Sequence, residues 1–84
     1  MHDTHLIEKI YQSIIALCEQ NGITRVNNIA IEVDQCSHIE AEHLLAHLVD
    51  RDNTIFGEWT SVHMEYKPYE MLTAVIKRID GTKE

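Results

Sequence analysis

Proline occurs once and glycine three times in the 84 residues, which excludes collagen-like and low-complexity disordered chains. Aromatic residues make up only 6% of the chain, so a core must be built mainly from Ile, Leu and Val. No apolar run approaches the roughly 20 residues that cross a bilayer as a helix. The start carries neither the basic region nor the apolar segment of a secretory signal. Lys and Arg total 7 against 14 Asp and Glu, a formal charge of −7. So acidic a chain is repelled by phosphate backbones and anionic lipid, so neither nucleic acid nor membrane is expected as a partner. Cysteine occurs twice, at Cys18 and Cys36, without the Cys-x₂-Cys spacing of a structural zinc site. With no secretion signal, two free thiols in a reducing cytoplasm are expected.

What is present suits one domain over residues 1–84. A chain of 9.7 kDa folds to roughly 5,000 Å² of surface from roughly 14,000 Å² extended. That is enough for one small core and too little for a dinucleotide-binding catalytic domain.

Residues 6 to 18 carry a helical stripe of Leu6, Ile10, Ile14, Leu17 and Cys18 with its neighbours. Asp3 or Thr4 is a candidate N-cap, and Gly22 suits the left-handed position that ends the helix. Residues 24 to 33 alternate as a strand through Ile29, Ile31 and Val33. Val26 falls on the opposite parity, which a bulge or burial on the other face would reconcile. Ser37 and Glu40 have capping-box spacing ahead of a second helix with Ala41, Leu44, Leu45 and Leu48 on its buried side. Residues 60 to 66 read as a strand and 67 to 71 as a turn around Pro68. Residues 72 to 79 fit either period, and their β-branched density favours a strand. Residues 81 to 84 read as a tail.

The order α-β-α-β-β predicts a small α+β fold, two helices on one face of a three-stranded mixed or antiparallel sheet. The other face would carry Glu32, His63 or Lys77, either as a partner surface or as the ordinary solvated face of such a sheet.

Met1-His2-Asp3 running into an apolar helix, Arg25-Val26-x-x-Ile29-x-Ile31-Glu32-Val33, and Asn53-Thr54 ahead of Val62-His63-Met64-Glu65-Tyr66 together form a pattern. It resembles the HypA family of hydrogenase and urease nickel-incorporation proteins over roughly residues 1 to 67. A last strand near 72 to 80 is similar to the one that closes the family's sheet. The resemblance implies a nickel site at Met1 (amine), His2 (imidazole and backbone nitrogen) and Asp3, where the family usually has Glu. It implies an accessory role, nickel being passed to a metalloenzyme maturation protein or an apo-enzyme. The family inserts a zinc domain with two Cys-x₂-Cys pairs before its last strand. Here Lys67 to Met71 stand in that place, so no structural zinc is expected, and a tight turn between neighbouring strands would join them.

The residues support the same chemistry without the family. An α-amine titrates near 8 and imidazole near 6.5, so both release protons at modest cost near neutrality. The Met1 amine, the His2 backbone and ring nitrogens and the Asp3 backbone nitrogen can chelate in adjacent small rings. Such a square-planar nitrogen set points to Ni(II) or Cu(II). His2, as a bulky second residue, disfavours removal of Met1. The bland alternative is a frayed terminal histidine, with Asp3 a helix cap.

His5 could add a fifth ligand or be a solvated first-turn residue. His43 and His47 have i,i+4 spacing without the glutamate of a His-Glu-x-x-His site, and read better as a solvent-facing pair. Cys36 lacks an oriented base and Asp50/Asp52 sit in a charged turn, so no enzyme is expected. Phe56 and Trp59 flank Gly57. Exposed, they would anchor a protein partner; folded back, they would close the core. The alternative to nickel delivery is therefore an adaptor or regulatory interaction module on the same scaffold, with a homo-oligomer sharing a sheet edge or one metal left open.

Overall fold

Four-residue spacing of apolar side chains organises the first element of the computed structural model, which describes residues 4–83. Leu6, Ile10, Ile14 and Cys18 are the buried residues of α1, Thr4–Asn21. Four residues is just over one helical turn, so these side chains stack on one face. Gly22 ends α1 at φ +70°, the left-handed position its missing Cβ allows. Strand β1, Ile23–Asp34, follows at once.

Helix α2 spans Ala41–Arg51 and buries Leu44 and Leu48. Strands β2, Ser61–Lys67, and β3, Ala74–Lys83, complete the fold. The sheet order is β2-β1-β3, with β1 parallel to β2 and antiparallel to β3. Parallel pairing of β1 and β2 demands a crossover, and α2 supplies it. The α-β-α-β-β order is the one the sequence predicts, and of the mixed or antiparallel sheets it allows, the mixed one forms. Helix α1 lies against β1 and β3, and α2 against β2. Their buried faces meet Ile29, Ile31 and Val33 in one core. The folded surface is 5355 Å², close to the roughly 5,000 Å² expected for a compact chain of this mass.

Three local expectations need correction. Ser37 does not cap α2. Glu40 occupies the N-cap at φ −109° and ψ 152° without a side-chain bond. Ser37 Oγ instead accepts from the Ile39 amide at 3.0 Å, and Ile39 is buried. Seating Ile39 in the core holds the chain in this local turn, and the helix begins later.

Strands β2 and β3 are not neighbours, because β1 lies between them. The link from 68 to 73 therefore passes the end of β1 instead of making a hairpin. It is held there by the Gln35 amide donating to the Lys67 carbonyl at 2.7 Å and the Asp34 amide to the Thr73 carbonyl at 3.0 Å. Leu72 in this link has φ +64°, a strained conformation for a branched side chain. In the central place, β1 has the most completely buried apolar residues of the three strands.

The third correction concerns the C-terminal end. Gly81 to Lys83 continue β3, with Gly81 opposite Val26, Thr82 opposite Arg25 and Lys83 opposite Ile23. Register shifts at Ile23/Arg25 and Val26/Asn28 are the irregularity that turns Val26 into the core.

The two cysteines differ as their positions suggest. Cys18 is buried and Cys36 exposed, and both are free. Burial, with a smaller contribution from the Glu19 charge, pushes the Cys18 thiol up from its ordinary value. One thiol per native chain, Cys36, is expected to react promptly with a thiol reagent, and the second only after unfolding. Counting labelled thiols by mass spectrometry with and without denaturant checks this. Two fast thiols in the native chain would contradict it.

Candidate functional site

The two ends of the sheet carry different candidates. At the Val33–Ala74 end, α1 begins with Thr4 and His5, both exposed. Leu6 lines a cleft of about 270 Å³ with Leu72, Thr73 and Ala74, so the start of α1 lies beside the link between β2 and β3. Met1, His2 and Asp3 lie outside the described residues.

The remaining histidines are dispersed. His43 is exposed on α2. His47 Nε2 lies 3.7 Å from Glu8 Oε1 of α1, while His43 is exposed, so the two do not face one site. His63 sits on the open face near Glu32, Glu65 and Lys77. Among the described residues, no three His, Cys, Asp or Glu side chains converge to hold a metal ion.

The open face is knit by its own charges. Tyr69 Oη donates to Glu32, and Lys67 Nζ lies 3.4 Å from Glu65 Oε1. The bond to the Glu32 carboxylate raises the Tyr69 hydroxyl above its ordinary value, because phenolate beside carboxylate is disfavoured. On the helical side, Glu8 accepts from Arg51 and from Gln12. These bonds hold its carboxyl below the usual range, Arg51 first. The Arg51 guanidinium also lies 4.4 Å over the Tyr11 ring, joining α1 to the end of α2.

The second candidate is the segment from Asp52 to Thr60, at the Val26 end. Asp52 Oδ1 accepts from the Thr54 hydroxyl at 2.6 Å, the Thr54 amide at 3.0 Å and the Ile55 amide at 3.3 Å. The Thr60 hydroxyl donates to the Val26 carbonyl at 2.7 Å, and the Val26 amide donates to the Ile55 carbonyl at 2.9 Å. The loop is thus fastened to itself and to β1. Phe56 is fully buried, its ring centroid 6.4 Å from that of Tyr11. It closes the core and offers a partner no exposed face. Trp59 remains 36% exposed.

Three contacts fix the Trp59 ring. Nε1 donates to the Ile55 carbonyl at 3.2 Å. The Arg25 guanidinium lies 3.9 Å from the ring centroid. A Cβ at Gly57 would come within 2.5 Å of ring carbons, so glycine is what lets the indole lie there. Beside it opens a groove of about 640 Å³, lined by Leu45, Val49, Phe56 and Trp59, with Glu42 and Glu58 also on its wall. The sequence shows the aromatic pair but not the groove, whose other wall is the outer side of α2.

Hydrogen bonds to Asp52, the Thr54 hydroxyl first, hold its carboxyl below the usual range. A depressed folded-state value gives stability that is present above the unfolded value near 3.9 and is lost as pH falls through the folded value. Asp52→Ala is expected to cost about 1–2 kcal/mol near neutrality. The gap between wild type and variant should narrow below about pH 4. Urea titrations at several pH values check this, and a gap constant down to pH 2 would contradict it.

No family model, curated protein or solved structure matches the chain. Among the described residues no helix is long and apolar enough to cross a membrane.

Proposed function

We propose that this chain is a nickel-binding accessory protein, a metallochaperone that carries Ni(II) at its first residues for transfer to a metalloenzyme maturation partner. His2 is the essential side chain. The Met1 amine, the His2 backbone nitrogen and Asp3 complete the donor set, and His5 is the candidate for a fifth position. The chain holds its cargo and catalyses nothing. The supporting observation is the chain's run from Met1-His2-Asp3 into an ordered helix at Thr4 that exposes His5 in its first turn. The α-β-α-β-β order and the short link from 68 to 73, where the resembling family carries its zinc domain, agree with this reading.

Amine and imidazole nitrogens suit nickel, and an open terminal chelate exchanges its ion more readily than a closed structural site. Equilibrium dialysis of nickel against the wild type and His2→Ala tests the reading, with circular dichroism to confirm that both are folded. One nickel per wild-type chain and none in the variant is expected. Equal nickel in both, or none in either, overturns it. Binding should also weaken as pH falls through about 8 to 6.5, where protons compete first for the amine and then for the imidazole.

A second reading keeps the scaffold and omits nickel: an adaptor or regulatory interaction module. The half-exposed Trp59 favours it. It predicts that His2→Ala leaves partner capture unchanged.

A further inference from the structure

The groove between α2 and Trp59 combines an apolar lining with acidic walls and a ring already held in place. Leu45, Ala46, Val49 and Trp59 supply the apolar surface, backed by the fully buried Phe56. The charged side chains of its lining, Glu42 and Glu58, are both acidic and both exposed. Arg25, the cation against Trp59, lies over the indole and outside the groove lining. Fixed aromatic anchors make effective interface centres because little side-chain freedom remains to be lost on binding. A groove of about 640 Å³ falls in the range that seats a few apolar side chains.

We infer that this groove docks a segment of a partner protein that presents an apolar anchor flanked by lysine or arginine. The anchor fills the space against Trp59 and Leu45, and the flanking cations meet Glu42 and Glu58. Charge decides the occupant. A second copy of this chain also carries a net −7 and is repelled at long range, as is an anionic lipid surface. A basic segment is attracted at long range and held by the apolar anchor at short range.

The Trp59 side of the docking surface lies at the Val26 end of β1, where Thr60 binds the Val26 carbonyl, and the groove runs from there along α2 to Glu42. The start of α1 lies at the Val33–Ala74 end. The selection below is made without metal, so docking is read independently of whether His2 holds nickel, and the two proposals fail separately.

The probe is a phage-displayed library of random 12-residue peptides, selected on the full-length chain without metal. Enriched peptides are then synthesised with a fluorescent label and titrated by anisotropy. Enrichment of sequences with a large apolar residue beside Lys or Arg is expected. Trp59→Ala should weaken them on the order of 30-fold, as for loss of an interface anchor. The double reversal Glu42→Lys/Glu58→Lys, at two exposed positions, should weaken them about tenfold with the fold intact. The double variant keeps the test decisive if Trp59→Ala loosens the loop. No enrichment, enriched peptides without cations, or equal affinity for the double variant overturns the inference. So does a concentration-dependent dimer in sedimentation that Leu45→Glu abolishes, since the groove would then belong to a second copy.

Discussion

Phe56→Ala is expected to lower the unfolding free energy by about 3–5 kcal/mol. Phe56 heads the fully buried side chains by volume. It is reached from α1 by Tyr11 and held from below by a loop that Asp52 and Thr60 fasten. Such a loop cannot collapse freely into the space left by a missing ring, so the cavity cost adds to the lost apolar burial. An 84-residue domain has only about 4–13 kcal/mol of stability in all. The variant should therefore lose about a quarter or more of the total stability and melt well below the wild type. Phe56→Leu, which keeps most of the volume, should lose about 1–1.5 kcal/mol. Urea denaturation followed by far-ultraviolet circular dichroism measures both. A loss below about 1 kcal/mol for Phe56→Ala would show that the loop does not close the core.

Gly81→Ala should lower stability by about 1–3 kcal/mol, because it overpacks a site with no slack. A Cβ at residue 81 would lie 2.0 Å from the Arg25 carbonyl oxygen and 2.6 Å from Ile23 Cγ2. The closest obstacle is backbone, so no rotamer change relieves it. Val26 pairs with Gly81 beside two register shifts of β1, and any displacement of Arg25 also disturbs the guanidinium over Trp59. The melting temperature should fall by about 4–20 °C, given the small size of the domain. Fluorescence of Trp59, the single tryptophan, should shift toward the red. Gly22→Ala is the useful contrast. No atom lies within 4 Å of its Cβ position, so only the positive φ is penalised, at about 1 kcal/mol. An unchanged melting temperature for Gly81→Ala would contradict the pairing of 81–83 with β1.

Particular residues explain how much of this was legible beforehand. The stripe from Leu6 to Cys18 identified α1, since one periodicity decides a long amphipathic helix. Gly22 marked its end because few other residues accept a left-handed backbone. The strand cores at Ile29–Val33 and Val62–Tyr66 are readable from alternation, whereas the irregular parity of Val26 leaves a bulge and burial on the other face equally open. Strand order was not readable. Alternation says which residues face the core but not which strand is central, and that ordering places the link from 68 to 73 across the end of β1. The tail reading failed at Gly81 because glycine, Thr82 and Lys83 carry no apolar signal, while their pairing is made through the backbone. Ser37 misled because Ile39 gains more by burial than the helix gains from an early cap. At the candidate site, Phe56 and Trp59 stood out as rare aromatics. Their opposite fates, one sealed in the core and one left half-exposed, depend on Gly57 and on the far-off Arg25.

The proposed nickel chelate at the first residues is tested most directly by a nickel titration of tag-free protein beginning at Met1, followed by calorimetry and visible absorption. His2→Ala and a version with one residue added before Met1 are run beside it. One nickel per chain, with the visible band of square-planar Ni(II) lost in both controls, is the predicted result. Absence of saturable nickel binding in the native chain, or a band that survives the added residue, would contradict the terminal chelate.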